Sequence, residues 1–247
     1  MKYFAVRNLK EMLRDRLTLF FGAAFPLIIL VLLYVLNLNI PKQAGMTLFE
    51  LQNLAPGIAV FGLSFISLFG GMLIARDRSE SFLTRLYSSP LRPSDFLAGY
   101  TLPLLPLAVG QSLICLAAAA VLGMNATVPG VIMCLGALLP SAVLFIGVGL
   151  LCGSCMTDKQ VGGICGALLT NLSAWLSGTW FSLDLFGNTA KRIICCLPFA
   201  NAVDAARSAL AGDGAAALGR IWIVALYAAA VFIAAVLTFG RKMRSGN

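Results

Sequence analysis

Long apolar runs, broken by a few charged patches, set the pattern of this chain. Six stretches carry no charge: Leu17–Ile40, Leu51–Ala75, Phe96–Leu122, Ala126–Met156, Gln160–Leu183 and Ile221–Gly240. About 20 apolar residues cross the hydrocarbon core of a bilayer as a helix, so each stretch can supply one span. The third and fourth share an uncharged run from Phe96 to Thr157, too long for one crossing, and "GMNATVPG" (Gly123–Gly130) supplies the turn residues that divide it. The runs lack period-2 alternation, which excludes a β-barrel. The pattern predicts an all-α polytopic membrane protein, one transmembrane domain over residues 1–247. Its spans fall near 18–37, 54–75, 96–122, 128–155, 160–182 and 220–240.

Three further segments are apolar on one side only. In "MKYFAVRNLKEMLRDRL", Tyr3, Phe4, Val6, Leu9, Met12, Leu13 and Leu17 recur at helical spacing, with Lys10, Glu11, Arg14 and Asp15 opposite. Such a helix lies in the membrane interface with its apolar face inward; a basic flank that only sets topology is the other reading. Residues 76–95 form a charged island holding Arg76, Asp77, Arg78, Glu80, Arg85, Arg92 and Asp95. Within it Phe82, Leu83, Leu86 and Tyr87 share a helical face, and Pro90 ends the helix because the residue before a proline avoids the α region. A short amphipathic helix at about 78–89, rigidly mounted between two spans, suits a lever; a solvated loop with topogenic arginines is the alternative. Residues 187–212 are too apolar for free solution and too interrupted at Pro198 to span. They read as two short re-entrant helices, the second stopped by Gly212. Gly149 and Gly153, and Gly162 and Gly166, form two GxxxG pairs flanking the "MTDKQ" turn, which predicts a tightly packed hairpin of the fourth and fifth spans.

Composition agrees with the pattern. Hydrophobic residues make up 60% of the chain and charged residues 11%, against about 25% charged in a soluble domain. Lys and Arg number 13 in the alternate flanks that include both termini and the island, and five in the others. By the positive-inside rule both termini and the island are cytoplasmic. The first apolar run is too long, and too far from the start, for a cleaved signal peptide, so it reads as a retained span. The net charge of +8 fits contact with anionic lipid headgroups and gives no reason to expect nucleic acid. "CGSC" at 152–155 has redox-motif spacing but lies in a Gly-rich membrane helix, and a chain without His offers no way to complete a zinc site. Cys195 and Cys196 read as free thiols at the outer interface.

No engine is visible. The chain has no phosphate-binding G-x-x-x-x-G-K-[ST] loop and no His relay. No Asp, Glu, Lys or Arg falls inside a span, where a proton- or ion-coupled carrier would need one. We therefore expect no catalytic residue, no metal site and no cofactor in this chain, which has the character of a membrane path driven by a partner.

The segment "IARDRSESFLTRLYSSPLRPSDFLAG" resembles the first cytoplasmic loop of type-2 ATP-binding-cassette (ABC) exporter permeases. Three more segments are similar to that family in order and spacing: "RNLKEMLRDRLTLFFGAAFPLIIL", "LAPGIAVFGLSF" and "LSGTWFSLDLFGNTAKRIICCLPFANAVDAARSALAG". The family often has Gly-Thr where Ser81-Phe82 stands, and Phe-Pro where Phe181-Ser182 stands. Drug-, antibiotic- and polysaccharide-export permeases share the pattern. The resemblance implies a permease pair, of two copies or two paralogues, with two copies of a separate ABC ATPase that carry ATP and Mg. It implies a coupling helix that docks on the ATPase, with Arg76, Asp77, Arg78, Glu80, Phe82, Leu83, Arg85, Leu86 and Tyr87 as coupling residues. It also implies a multi-pass protein of the cell (plasma) membrane, in a bacterium the inner membrane.

On the same resemblance the fifth span lines the subunit interface, and Thr170, Asn171, Ser173, Trp175 and Ser177 are candidates for touching substrate; inter-helical bonding is their other reading. Gln111 and Ser112 share that ambiguity. Few cations flank the re-entrant region, which leans toward an amphipathic, drug-like or lipid-linked substrate. A stand-alone ion channel or carrier built on backbone and hydroxyl oxygens is the competing function, and a scaffold without transport the third.

Overall fold

Asp15 makes the first bend in the chain. Its carboxylate accepts from the Leu17 amide (3.0 Å) and the Thr18 hydroxyl (2.9 Å), ending one helix and starting the next. In the computed structural model, which describes residues 2–39, 47–80 and 93–245, these two helices are α1 (Lys2–Arg14) and α2 (Arg16–Asn39). After them come α3 (Leu51–Ser79), α4 (Pro93–Val121) and α5 (Val128–Cys155). Next is α6 (158–176), whose middle, Gly162–Leu169, is wound as a wide π-helix between the α-helical Asp158–Val161 and Thr170–Leu176. Two short helices, α7 (Gly187–Cys196) and α8 (Pro198–Leu210), meet at 78° across Leu197, and α9 (Gly214–Ser245) ends the described chain. The described residues contain no strand.

Among them, α2, α3, α4, α5 and α9 are long and apolar enough to cross a membrane, and the bent pair α7–α8 makes a sixth candidate if counted as one span. The chain is a multi-pass membrane protein. The segment expected as the fifth span, 160–182, is helical only to Leu176 and is not among the five; Gln160 and Asn171 dilute its apolar run, and the helix that contains it starts at the charged Asp158 and Lys159.

α3 is the axis of the bundle. In its most apolar stretch 89% of residues are buried, against 22% in α2 and 17% in α9. α3 is therefore surrounded by the rest of the chain, whereas α2 and α9 turn most of their surface outward. Small residues permit this. A Cβ at Gly149 would overlap the Ser67 carbonyl oxygen, and one at Gly153 the carbonyl of Gly71, so α5 lies backbone-to-backbone against α3. This corrects the expected α5–α6 hairpin: the 149/153 pair serves α3, Gly166 faces Leu68 of α3, and nothing stands near a Cβ at Gly162. Helices consecutive in sequence need not share the closest interface when a third helix presents a smoother groove.

Polar groups gather at the two ends of the bundle. One end holds α1, the last turn of α3, the start of α4, the 156–158 turn and the end of α9. The other holds the starts of α3 and α5, the 177–179 turn and α7–α8. There Thr127 caps α5, Gly123 and Gly212 turn the chain with φ of 102° and 84°, and Arg207 of α8 donates to the carbonyls of Asn53 (2.9 Å) and Gly178 (3.0 Å). Asp204 sits 3.3 Å from Arg220, whose guanidinium also donates to Asn201 (3.0 Å). The Asn201 amide in turn donates to the carbonyls of Cys195 and Leu197. This network fixes the bend between α7 and α8.

Candidate coupling site

The last turn of α3 carries Arg76, Asp77 and Arg78. No breaker separates Ala75 from Ser79, so the helix runs on into the charged island as far as Ser79 instead of ending at Ala75 as expected. The expected coupling helix at 78–89 is thus corrected at its start, where Arg78 and Ser79 prolong α3. Phe82, Leu83, Arg85, Leu86 and Tyr87 lie outside the described residues.

Asp77 falls three residues after Ile74 and seven after Gly70, on the buried stripe of α3, and is itself 1% exposed. A lone buried carboxylate would be strongly unfavourable, so it needs partners. Arg7 of α1 supplies two, its Nη1 and Nη2 each donating to one carboxylate oxygen at 2.9 Å. The Tyr100 hydroxyl of α4 supplies a third at 2.7 Å. Arg7 also pairs with Glu11 one turn on, at 3.0 Å. Its guanidinium pKa is raised above the ordinary value, first by the bond to Asp77 and against the cost of partial burial.

Packing seats the same junction. Phe4 meets the Tyr100 ring edge-on with centroids 4.9 Å apart, and the fully buried Asn8 donates to the Gly99 carbonyl at 3.3 Å. A Cβ at residue 99 would overlap the Phe4 ring. On the far side of α3, Arg78 donates to the carbonyls of Ser154 and Met156, completing the open C-terminal end of α5 with a cation where the helix dipole favours one. Lys242 of α9 donates to Cys155 at 3.1 Å. Arg76 and Glu80 point outward.

The burial of α1 differs from its hydropathy. Ala5, Asn8 and Met12 are buried, while Val6, Leu13 and Leu17 are exposed. One face docks on the bundle through Phe4, Ala5, Asn8, Met12 and the Arg7–Asp77 pair, while Val6 and Leu13 face away from it.

The model of the ABC-2 type transporter family matches residues 1–211. This chain belongs to that family. No curated protein gives a significant match. An ABC-2 membrane domain is the permease component of an ABC transporter, generally without its own catalytic site, and it implies an ABC ATPase as partner.

In this ABC-2 permease the residues proposed for the substrate path divide by face. Thr170, Ser173 and Ser177 are buried. Thr170 donates to the Cys165 carbonyl at 3.0 Å, and Ser177 to the Thr179 hydroxyl at 2.8 Å. Asn171 and Trp175 face outward, Trp175 with 57% of its surface exposed, beside exposed Leu168 and Leu172. Gln111 and Ser112 are buried in α4, Gln111 against Gly62. Arg7, Asn8 and Tyr100 were not singled out from the sequence. The available signal was the register of Asp77, a carboxylate on a helix's buried stripe that requires a cation.

Proposed function

We propose that this chain is the membrane-spanning subunit of an ATP-driven exporter, and that the segment about 78–89 transmits the stroke of a separate ATPase. The observation that carries this reading is the buried Asp77 carboxylate, held jointly by Arg7 and Tyr100 at the root of that segment. A displaced loop end can move a permease only if it is attached to something stiff. Here the attachment joins α1, α3 and α4, and Arg78 adds α5. Differential contact of the ATPase with two arrangements of this junction is what shifts the permease between states.

In this reading two copies, or a copy and a paralogue, form the path, and two ATPases carrying ATP and Mg dock from the cytoplasm. The concentration of Lys and Arg at the ends holding both termini supports a cytoplasmic clamp in a bacterial inner membrane. A half-open cleft of about 350 Å³ beside the clamp supports an amphipathic, drug-like or lipid-linked substrate: Phe21, Leu68, Phe69 and Met72 wall it, and Glu11 and Arg76 stand at its polar rim. The exposed face bearing Asn171 and Trp175 is the proposed path.

Co-purification tests the reading. Wild-type chain extracted in detergent is expected to retain its ATPase, and the Arg85→Glu, Leu86→Asp double variant to express but lose it. Loss of the ATPase from neither would reject the segment as the docking element.

A further inference from the structure

We infer that the end of the bundle opposite the clamp carries a binding site for one phosphate-type oxyanion. A cavity of about 310 Å³ opens there, lined by Gln52 and Asn53 at the start of α3, Asn125 and Thr127 before α5, and Arg207 of α8.

Arg207 is the cation of the site, and its surroundings hold it ready. Its Nε and Nη2 donate to the carbonyls of Asn53 and Gly178, which uses two of the five N–H donors of a guanidinium. Its side chain is 19% exposed, so little motion is left to lose on binding. The nearest carboxylate oxygen to Nη1 is that of Asp204 at 4.0 Å, beyond hydrogen-bond reach, and Asp204 lies closer to Arg220 at 3.3 Å. Two guanidinium groups therefore share one carboxylate, and the Nη1 protons lack a hydrogen-bond acceptor among the described residues.

The rest of the lining is neutral and polar. Gln52 donates to the Asn125 carbonyl at 3.3 Å, bridging the start of α3 to the turn before α5. The Thr127 oxygen accepts from the Gly130 amide, which leaves its own O–H to donate. The Asn125 amide has no hydrogen bond among the described residues. Among the described residues no carboxylate and no aromatic ring lines the cavity, and Leu210 and Ala211 are its apolar residues. A planar cation with free donors, amide N–H groups and a hydroxyl suits the oxygens of a phosphate ester. It offers nothing to an apolar chain or a stacked ring. The ligand is thus a phosphate group, borne by a lipid headgroup or by a soluble molecule. As a release station for an exported headgroup the site rests on the exporter reading; the binding itself does not, and it is measured without ATPase.

The test uses the full chain in nanodiscs with Asn125→Asp, which sets a negative charge in the cavity yet keeps both bonds of Arg207. One arm titrates inorganic phosphate in phosphatidylcholine discs, read by phosphorus NMR line broadening. The other counts phosphatidylglycerol molecules retained from mixed discs by native mass spectrometry. At least tenfold weaker phosphate binding in the variant supports the site with a soluble ligand. Loss of retained phosphatidylglycerol without phosphate binding supports a lipid headgroup. Identical wild-type and variant behaviour in both arms overturns the inference, any phosphate seen then being an adventitious ion only. Should Asn125→Asp not fold, Gln52→Glu places the same charge in the same cavity. Failure of ATPase retention with intact phosphate binding would sink the exporter reading and leave this site standing.

Discussion

Arg7 grips both oxygens of Asp77, each at 2.9 Å, across 70 residues of chain. The pair ties α1 to α3, the most buried of the candidate spans among the described residues. Because Asp77 is almost wholly buried, removing Arg7 leaves a carboxylate with one neutral donor, Tyr100. We expect Arg7→Ala to lower stability by about 3 kcal/mol, the range for an orphaned buried charge. The Arg7→Ala, Asp77→Asn double variant is expected to recover part of that loss. Thermal unfolding of the four proteins of this cycle measures the coupling, and strict additivity would contradict a direct pair.

The pH response of the clamp follows from the sign of the Arg7 shift. Its folded-state value lies above the ordinary guanidinium value. A raised value means that its contribution is complete below the unfolded value and is lost only as pH climbs through the folded one. The difference in melting temperature between wild type and Arg7→Ala should therefore stay constant from about pH 7 to pH 9. A steady fall across that window would show that another group governs the junction.

Glycine positions on α5 and α6 should respond in opposite ways. Gly149→Val and Gly153→Val drive a side chain into the backbone of α3, and we expect losses of about 3 kcal/mol or more, seen as a collapse of monodisperse yield. Gly162→Ala meets open space and should be neutral within about 0.5 kcal/mol. Equal tolerance at all three positions would contradict the close approach of α3 and α5.

Asn201 holds the bend between α7 and α8 from a fully buried position, donating twice and accepting from Arg220. Asn201→Ala leaves two carbonyls and a guanidinium short of a partner, a loss of about 2–3 kcal/mol. Hydrogen exchange should accelerate across Gly187–Leu210 while α3 stays protected. Unchanged exchange in that segment would show that the bend is fixed by other contacts.

Five of the six expected spans, all but 160–182, correspond to helices long and apolar enough to cross a membrane, because hydropathy reports what leaves water. It reports poorly what meets protein and what meets lipid, since both are apolar. In α1 the apolar Val6 and Leu13 are exposed, while the polar Asn8, which hydropathy would place outward, is buried against Gly99. The GxxxG pairs were visible, but their partner was not, because the groove that receives Gly149 lies on a helix two elements earlier in the chain. Asp77 was recognised as part of a charged island. That it is buried follows from its register with Ile74 and Gly70, and its partners Arg7 and Tyr100 depend on how α1 and α4 flank α3. The residues expected on the substrate path were grouped by type, whereas the turn of the chain along and just past α6 separates Asn171 and Trp175 from Thr170, Ser173 and Ser177.

The 70-residue reach of the Arg7–Asp77 pair also orders events on the ribosome. α1 is made first, yet the carboxylate that receives it is polymerised last of the residues in α2 and most of α3. At about 5–20 residues per second the wait is roughly 4–14 s, and Tyr100 follows later still. Throughout that interval Arg7 is unmatched by Asp77. The Arg7–Asp77 contact can therefore form only after the last turn of α3 has been made.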